Sequence, residues 1–514
     1  MARLHERGWI QSLLVLLACA AVAWPMLGRG GLAMSEAHRV IPAWEMLETG
    51  DWLTPRMFGM PYLRKPPGMS WAVAASSMAL GQTELAARAV SATCATIMAL
   101  VALAFGRRWF GARWGLGAGL AQALAPVMWE SARSAEIEAL HTLGLQLGAL
   151  ACIDLLRPRA RGAGSTMALV LALGVIIAGL SKGPAGAPVV LGAIGSAAVV
   201  RRSARALASP WVWGGLALGV AVVGGVLLAM ARALGDEPSV RESAGAHLWS
   251  GELARVALLA PTAFVYALPA SLALLLPWGP DARREGERSE RDAEMLAVAR
   301  MLAWAWVLAM LVWVGFGVSN PRYAMGGIVL ITPMASYALR GAFRDGAFTP
   351  RRRAITRAMF LGRPAVWVIL LVGGAWVFIG SHESAVRASS GREAGRRMGE
   401  ALVSALSSLA PDERVRLIAD DAVEARPEVL GEIRRVVRDG GLGDRVTIHW
   451  TPWNGVEAPP EPWDAALIRL DDQSDEGEGI RALLERGEVV VVDEQTVSKY
   501  RFTLYLRHSP QIRP

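Results

Sequence analysis

Carboxylates and cations recur in the short polar segments that separate long apolar runs in this chain of 514 residues. Ser35-Glu36-Ala37-His38-Arg39 comes first, then Gly50-Asp51-Trp52-Leu53-Thr54-Pro55-Arg56 and Tyr62-Leu63-Arg64-Lys65-Pro66-Pro67. Glu130, Arg133, Glu136 and Glu138 follow, then Ser181-Lys182-Gly183-Pro184 and Asn320-Pro321-Arg322-Tyr323. These residue types suit transfer of a group away from a phosphate carrier. A carboxylate takes the acceptor's proton and cations hold the departing phosphate, because charge grows on both as the old bond breaks. A general base contributes roughly 10² to 10⁴ in rate. A cation at ~4 Å in a partly dry site is worth up to about 4 kcal/mol before desolvation.

Each candidate also has a plain structural use. Arg64 can snorkel to lipid headgroups, and Glu136 and Glu138 can simply face the positive end of a helix dipole. Glu36 can be a solvated loop residue, although Val40, Ile41 and Trp44 behind it would dock a short helix at the interface. Lys65 and Lys182 stand apart. Of 53 basic residues only Lys65, Lys182 and Lys499 are lysines, and the first two sit beside Pro66-Pro67 and Gly183-Pro184, which fix the backbone around them. Asp154 and His141 read as structural.

The elements that must position these groups are membrane helices. A hydrophobic fraction of 53% and a mean hydropathy of +0.34 exclude an ordinary soluble enzyme of several domains. The net charge of +8 comes from arginines clustered between apolar runs, as in loops facing an anionic membrane, and nucleic-acid binding is excluded as a reading. Spans are expected over residues 9–28, 84–105, 112–129, 138–156, 165–180, 185–200, 211–232, 257–278, 298–317, 324–339 and 364–380. The first resembles a signal peptide, but its length favours an uncleaved helix. Residues 68–80 are too short to span and read as an interfacial or re-entrant helix. With the N-terminus inside, all five inner turns are arginine-rich, and the polar segments above fall on the outer side.

The chain therefore divides into a membrane domain over 1–380, with a first outer loop at 29–83, and an outer soluble domain over 381–514. Strands are expected at 415–419, 446–450, 465–470, 489–492 and 502–506, with helices near 424–438 and 478–486, giving a small α/β domain. Trp450, Trp453 and Trp463 would suit a carbohydrate surface, but tryptophans in so small a domain ordinarily pack in its core. Cys19, Cys94 and Cys152 all fall in apolar runs, which suggests neither disulfides nor a cysteine metal site.

In this order, Ser-Glu-Ala-His-Arg, Gly-Asp-Trp-Leu-Thr-Pro-Arg and Tyr-Leu-Arg-Lys-Pro-Pro-Gly resemble the first outer loop of the protein O-mannosyltransferase and aminoarabinose-transferase family. Leu-Ser-Lys-Gly-Pro at 180–184 and Pro-Arg-Tyr at 321–323 look like later motifs of that family, so the resemblance covers roughly residues 9–340. It implies the polytopic GT-C fold, a polyprenyl-monophosphate sugar as donor and inversion at the anomeric carbon. By position, Glu36 matches the acidic pair of the first loop, Lys65 the Lys-Pro-Pro lysine, Glu138 the acidic residue opening the fourth span and Lys182 the Lys-Gly-Pro lysine. Two departures stand out. Ser35-Glu36 replaces the family's usual Asp-Glu, and Arg64 stands where some relatives carry a glutamate implicated in metal binding.

The expectation is an inverting transferase of a bacterial plasma membrane that moves sugar to an extracytoplasmic acceptor such as a glycolipid, a glycan or a protein. Glu36, helped by Glu138, activates the acceptor, Arg64, Lys65, Lys182 and Arg322 hold the carrier phosphate, and Glu136 and Tyr323 contact substrate. No cofactor is indicated, and need for a divalent metal stays open. The alternative is a non-catalytic scaffold or a lipid-carrier transporter, which Ser35 favours. Sugar and acceptor identity are not written in these motifs.

Overall fold

A computed structural model describes residues 7–32, 34–158, 164–234, 265, 271, 290–315, 325–342, 390–407, 414–419, 426–450, 463–471, 478–497 and 500–507. The expected spans 257–278 and 364–380 lie outside these residues, save for positions 265 and 271. The chain forms two compact units, one of residues Met1–Leu27, Leu63–Ala72 and Arg88–Ile379, the other of Gly28–Tyr62, Val73–Ala87 and Gly380–Pro514. The sequence suggests a division at residue 380; by contact, most of the first outer loop groups with the C-terminal segment instead.

The first unit is helical. It holds α1 (Gly8–Val22), most of α4 (Glu84–Phe110), α5 (Ala112–Ala123), α6 (Pro126–Ser131), α7 (Ile137–Leu156), α8 (Gly164–Lys182), α9 (Ala187–Arg201), α10 (Pro210–Leu234), α11 (Glu290–Gly315) and α12 (Ile328–Ala342). Among the described residues, five stretches are long and apolar enough to cross a membrane: Glu84–Phe110, Ile137–Leu156, Gly164–Arg201, Pro210–Leu234 and Glu290–Trp313. The span expected at 112–129 is helical in two pieces, because Pro126 has no N–H to continue the ladder. Large apolar side chains are exposed on the outer side of the bundle. On α10, Leu218, Val220, Leu227 and Leu228 are exposed, which places lipid around it in an integral membrane protein.

Buried α7 is the axis of this unit, with α8 and α9 packed along it. Small residues permit the approach: a Cβ on Gly144 would lie 2.5 Å from the Ala178 nitrogen and 2.7 Å from the Gly174 oxygen, so α7 and α8 touch backbone to backbone. At the far end of α7, Asp154 pairs with Arg108 and Arg157, each at 3.2 Å, and Arg157 reaches Glu294 at 3.2 Å. That network supports the structural reading of Asp154.

The second unit joins α2 (Met34–Thr49), β1 (Arg56–Met57), β2 (Met60–Pro61) and part of α3 (Gly68–Leu80) to a five-stranded sheet. The strands are β3 (Val415–Ala419), β4 (Val446–Trp450), β5 (Ala465–Asp471), β6 (Val489–Val497) and β7 (Tyr500–Arg507), in the order β4-β3-β5-β7-β6. β3 runs parallel to β4 and β5, while β7 is antiparallel to β5 and β6. The period of two sorts the side chains. Leu417, Ala465 and Leu467 face one layer, and Ile418, Ala466 and Ile468 face Trp463 and Leu483 on the other. Trp463 is buried in that core, as the ordinary reading of these tryptophans expects. Helices α13 (390–405), which the sequence reading does not anticipate, and α14 (Pro427–Val437) belong to the first layer, and α15 (Glu478–Glu485) to the second.

The same first layer buries Ala37, Ile41, Met57, Phe58 and Tyr62 from the first loop. Between β1 and β2, Phe58 and Gly59 both take positive φ, 53° and 81°, which is the tight hairpin geometry matched to strand twist. Phenylalanine there costs about 1–2 kcal/mol. Glu45 offsets it: its carboxylate accepts the Phe58 N–H at 2.6 Å and the Gly59 N–H at 3.2 Å.

In α14, burial pushes the Glu428 carboxyl up from 4.5 to about 7, with Arg426 opposing the shift. Below the unfolded value both states hold the proton and no penalty applies. As pH rises towards about 7 the unfolded chain releases a proton that the folded chain retains, so stability falls, by about 3 kcal/mol for that gap. Thermal unfolding of the full chain in detergent from pH 4 to 8 therefore finds Glu428→Gln and the parent alike at pH 4. The variant gains an advantage that grows until about pH 7 and is flat beyond it.

Candidate functional site

The first unit contains a small cavity lined by Glu138, His141, Thr142, Leu145, Lys182, Trp313 and Gly326. Its charged members come from two helix ends. Glu138 stands in the first turn of α7, and Lys182 is the last residue of α8, where Gly183 at φ +65° and Pro184 turn the chain through a short 3-10 segment, Gly183–Gly186. The Lys182 ammonium donates to Glu138 Oε1 at 3.1 Å, with side chains only 8% and 10% exposed.

His141 lies one helical turn beyond Glu138, on the same face of α7. Its Nδ1 is 3.1 Å from the Ala178 carbonyl oxygen, and since a carbonyl only accepts, Nδ1 carries the proton and Nε2 remains an acceptor. Gly186 packs so closely that a Cβ there would come within 2.7 Å of Nε2. The Trp313 indole closes the wall, donating to the Ala185 carbonyl at 3.2 Å.

Lys65 belongs to the same unit, three residues before Gly68 and towards the end of α8 that carries Lys182. The packing of α3 brings it there, because Gly68 at the head of that helix abuts Leu180 near the end of α8, 2.7 Å from a Cβ at Gly68 to the Leu180 oxygen. Arg64 beside it is exposed. Glu136 is buried at the N-cap of α7, and its carbonyl accepts from Ser91 Oγ at 3.4 Å. Nearby, burial and the charge of Arg88 lower the Arg133 pKa.

The structure thus joins Glu138 to Lys182 and places Lys65 in the same unit. Glu36 is a buried residue in the first turn of α2, in the second unit. Arg322 and Tyr323 lie outside the described residues. His141, read from the sequence as structural, lines the cavity; the signal for it was its spacing of three from Glu138. Trp313 and Gly326 carried no such signal, since they arrive from distant helices. Among the described residues, no three His, Cys, Asp or Glu side chains gather within reach of one metal ion.

Residues 64–228 match the family model described as dolichyl-phosphate-mannose-protein mannosyltransferase, a stretch that contains Arg64, Lys65, Glu136, Glu138 and Lys182. No curated protein matches the chain by sequence. Among solved structures, the chain is similar to ArnT from Cupriavidus metallidurans, both bound to undecaprenyl phosphate and in the apo state. Each comparison gives 16% identity and a TM-score of 0.66 and covers 99% of this chain and 99% of that one. That likeness establishes the fold, a polytopic GT-C architecture with a small C-terminal sheet domain, as the motifs led us to expect.

Removing one partner of the buried pair leaves a charge in a dry site, at a cost of roughly 3–5 kcal/mol. Lys182→Met alone is therefore expected to lower the detergent melting temperature clearly. Adding Glu138→Gln restores most of the loss without restoring function, a pattern that a double-mutant thermal series checks directly.

Proposed function

We propose that this chain, whose 64–228 segment matches the mannosyltransferase model and whose fold is GT-C, is an inverting glycosyltransferase using a polyprenyl-phosphate sugar. The observation that carries the reading is the buried Glu138–Lys182 pair, at 3.1 Å, lining a cavity inside the matched segment. A buried ammonium needs an anion at all times. Glu138 serves that need before the carrier phosphate enters, and the phosphate shares it afterwards.

In the proposed reaction an acceptor oxygen attacks the anomeric carbon from the side opposite the carrier. Its proton passes to the Glu36 carboxylate, with Glu138 assisting. The bond from the anomeric carbon to the phosphate oxygen breaks, and its electron pair leaves on the carrier phosphate. Lys65, Arg64, Lys182 and Arg322 hold the charge that grows there, while Glu136 and Tyr323 contact substrate. Glu36 takes the role because the residue before it is serine, which lacks a carboxylate.

The protein works at the outer face of a bacterial plasma membrane, with its N-terminus cytoplasmic and residues 381–514 outside. The support is the arginine content of the expected inner turns. An extracytoplasmic glycolipid, glycan or protein is the acceptor.

Purified protein in lipid nanodiscs, given radiolabelled polyprenyl-phosphate sugar and an outer-envelope extract, should transfer label and release carrier phosphate. Glu36→Gln should lose roughly 10²- to 10⁴-fold in rate. Lys65→Ala and Lys182→Ala, inserted normally, should fall by a comparable factor. Parental rates in both lysine variants would refute the site. Carrier binding without any release of carrier phosphate would instead identify a scaffold.

A further inference from the structure

We infer that the C-terminal domain fixes the orientation of the helix carrying Glu36 through a junction centred on Glu45, and that Arg434 is its positioning residue. The role given to Glu36 rests on the reading above; the junction itself does not.

Glu45 is the meeting point. Its side chain is 4% exposed, and beyond the two hairpin N–H groups its Oε1 accepts from Arg434 Nη1 at 2.7 Å. The other end of the same guanidinium donates to Glu48 Oε2 at 2.7 Å, so Arg434 bridges two carboxylates three residues apart on α2. Arg438 adds a looser contact with Glu48 at 3.5 Å. One arginine of α14 thereby holds a helix and, through Glu45, the hairpin of the first loop.

The spacing of the contacts on α2 gives this consequence for the proposed chemistry. Ala37, Ile41, Glu45 and Glu48 follow steps of four, four and three, and so form one stripe of the helix. Its apolar half is buried with Met398, Leu430 and Ile433, and its acidic half is held by Arg434. Glu36 sits beside that stripe, about 100° around the helix from Ala37. Rotation of α2 about its axis would swing Glu36 away, and the junction opposes that rotation at both ends. The hairpin, gripped through Glu45, leads in sequence straight to Arg64 and Lys65.

The test uses full-length protein in nanodiscs and two readouts, hydrogen exchange over residues 56–62 and steady-state sugar transfer. Arg434→Ala should speed exchange over 56–62 several-fold and lower kcat by roughly 10- to 100-fold, with KM for the polyprenyl-phosphate sugar nearly unchanged. Arg434→Lys should recover part of both, since a single ammonium cannot bridge two carboxylates as a fork does. Glu48→Gln, a milder change, should move both in the same direction by less. Arg435→Ala, whose side chain pairs with Glu432 and Asp439 on its own helix segment, should behave as parent. Unchanged exchange in Arg434→Ala, or faster exchange with parental kcat, overturns the inference. If the parent transfers no sugar, the enzymatic reading falls, and exchange over 56–62 still decides the junction.

Discussion

A charge removed from water inside a membrane protein must meet its opposite, and the first unit is organised around that requirement at Glu138 and Lys182. The pair forms because α7 begins and α8 ends at the same level. That in turn depends on Gly144 and Gly174, whose missing side chains let the two backbones touch. Gly183 and Pro184 then stop α8, leaving Lys182 at its tip. The cavity follows from helix ends that meet while the side chains above them, Trp313 and His141, hold bonds to Ala185 and Ala178.

The second unit repeats the logic around a different carboxylate. Glu45 is buried among apolar neighbours and satisfied by two backbone donors and one guanidinium. It joins α2 to the hairpin 13 residues on and to α14, 389 residues away, and the apolar layer from Ala37 to Leu506 makes the first loop part of the C-terminal domain's own core. Carboxylate and core supply different things: the core supplies most of the burial, which is non-directional, and the hydrogen-bonded carboxylate supplies direction.

Local signals in the sequence were enough for much of this. Strands at 415–419 and 446–450 stood out because their apolar residues alternate or run unbroken between polar turns, and the structure places β3 and β4 there. The break at Lys182 was legible from Gly-Pro. Helix 390–405 was hidden, because its alanines and charged residues carry a weak apolar pattern and its burial arises only against the sheet. Glu45 was hidden more deeply. It lies among Trp44, Met46 and Leu47, where a carboxylate looks like a solvated face of a short helix. Its partner Arg434 is 389 residues away, and no periodicity connects the two. The hairpin at Phe58-Gly59 escaped for the same reason, since phenylalanine at positive φ is adopted only when the surroundings supply the bonds that compensate it.

The motif resemblance sets Ser35-Glu36 where an Asp-Glu pair is expected, and that difference bears on how such a site tolerates change. Moving a carboxylate by one position on a helix turns it about 100° and advances it about 1.5 Å, a displacement that a freely rotating segment could absorb and a fixed one could not. Here α2 is fixed along the Ala37, Ile41, Glu45 and Glu48 stripe. The direction in which Glu36 points is therefore a property of the packing below it and not of the loop alone. A glutamate also reaches one methylene further than an aspartate from the same backbone. A carboxylate so held has a defined place even though the preceding position offers only a hydroxyl. On this view the C-terminal domain is more than a docking module appended to a membrane enzyme: its core and its arginine decide whether the residue proposed as base has a single orientation.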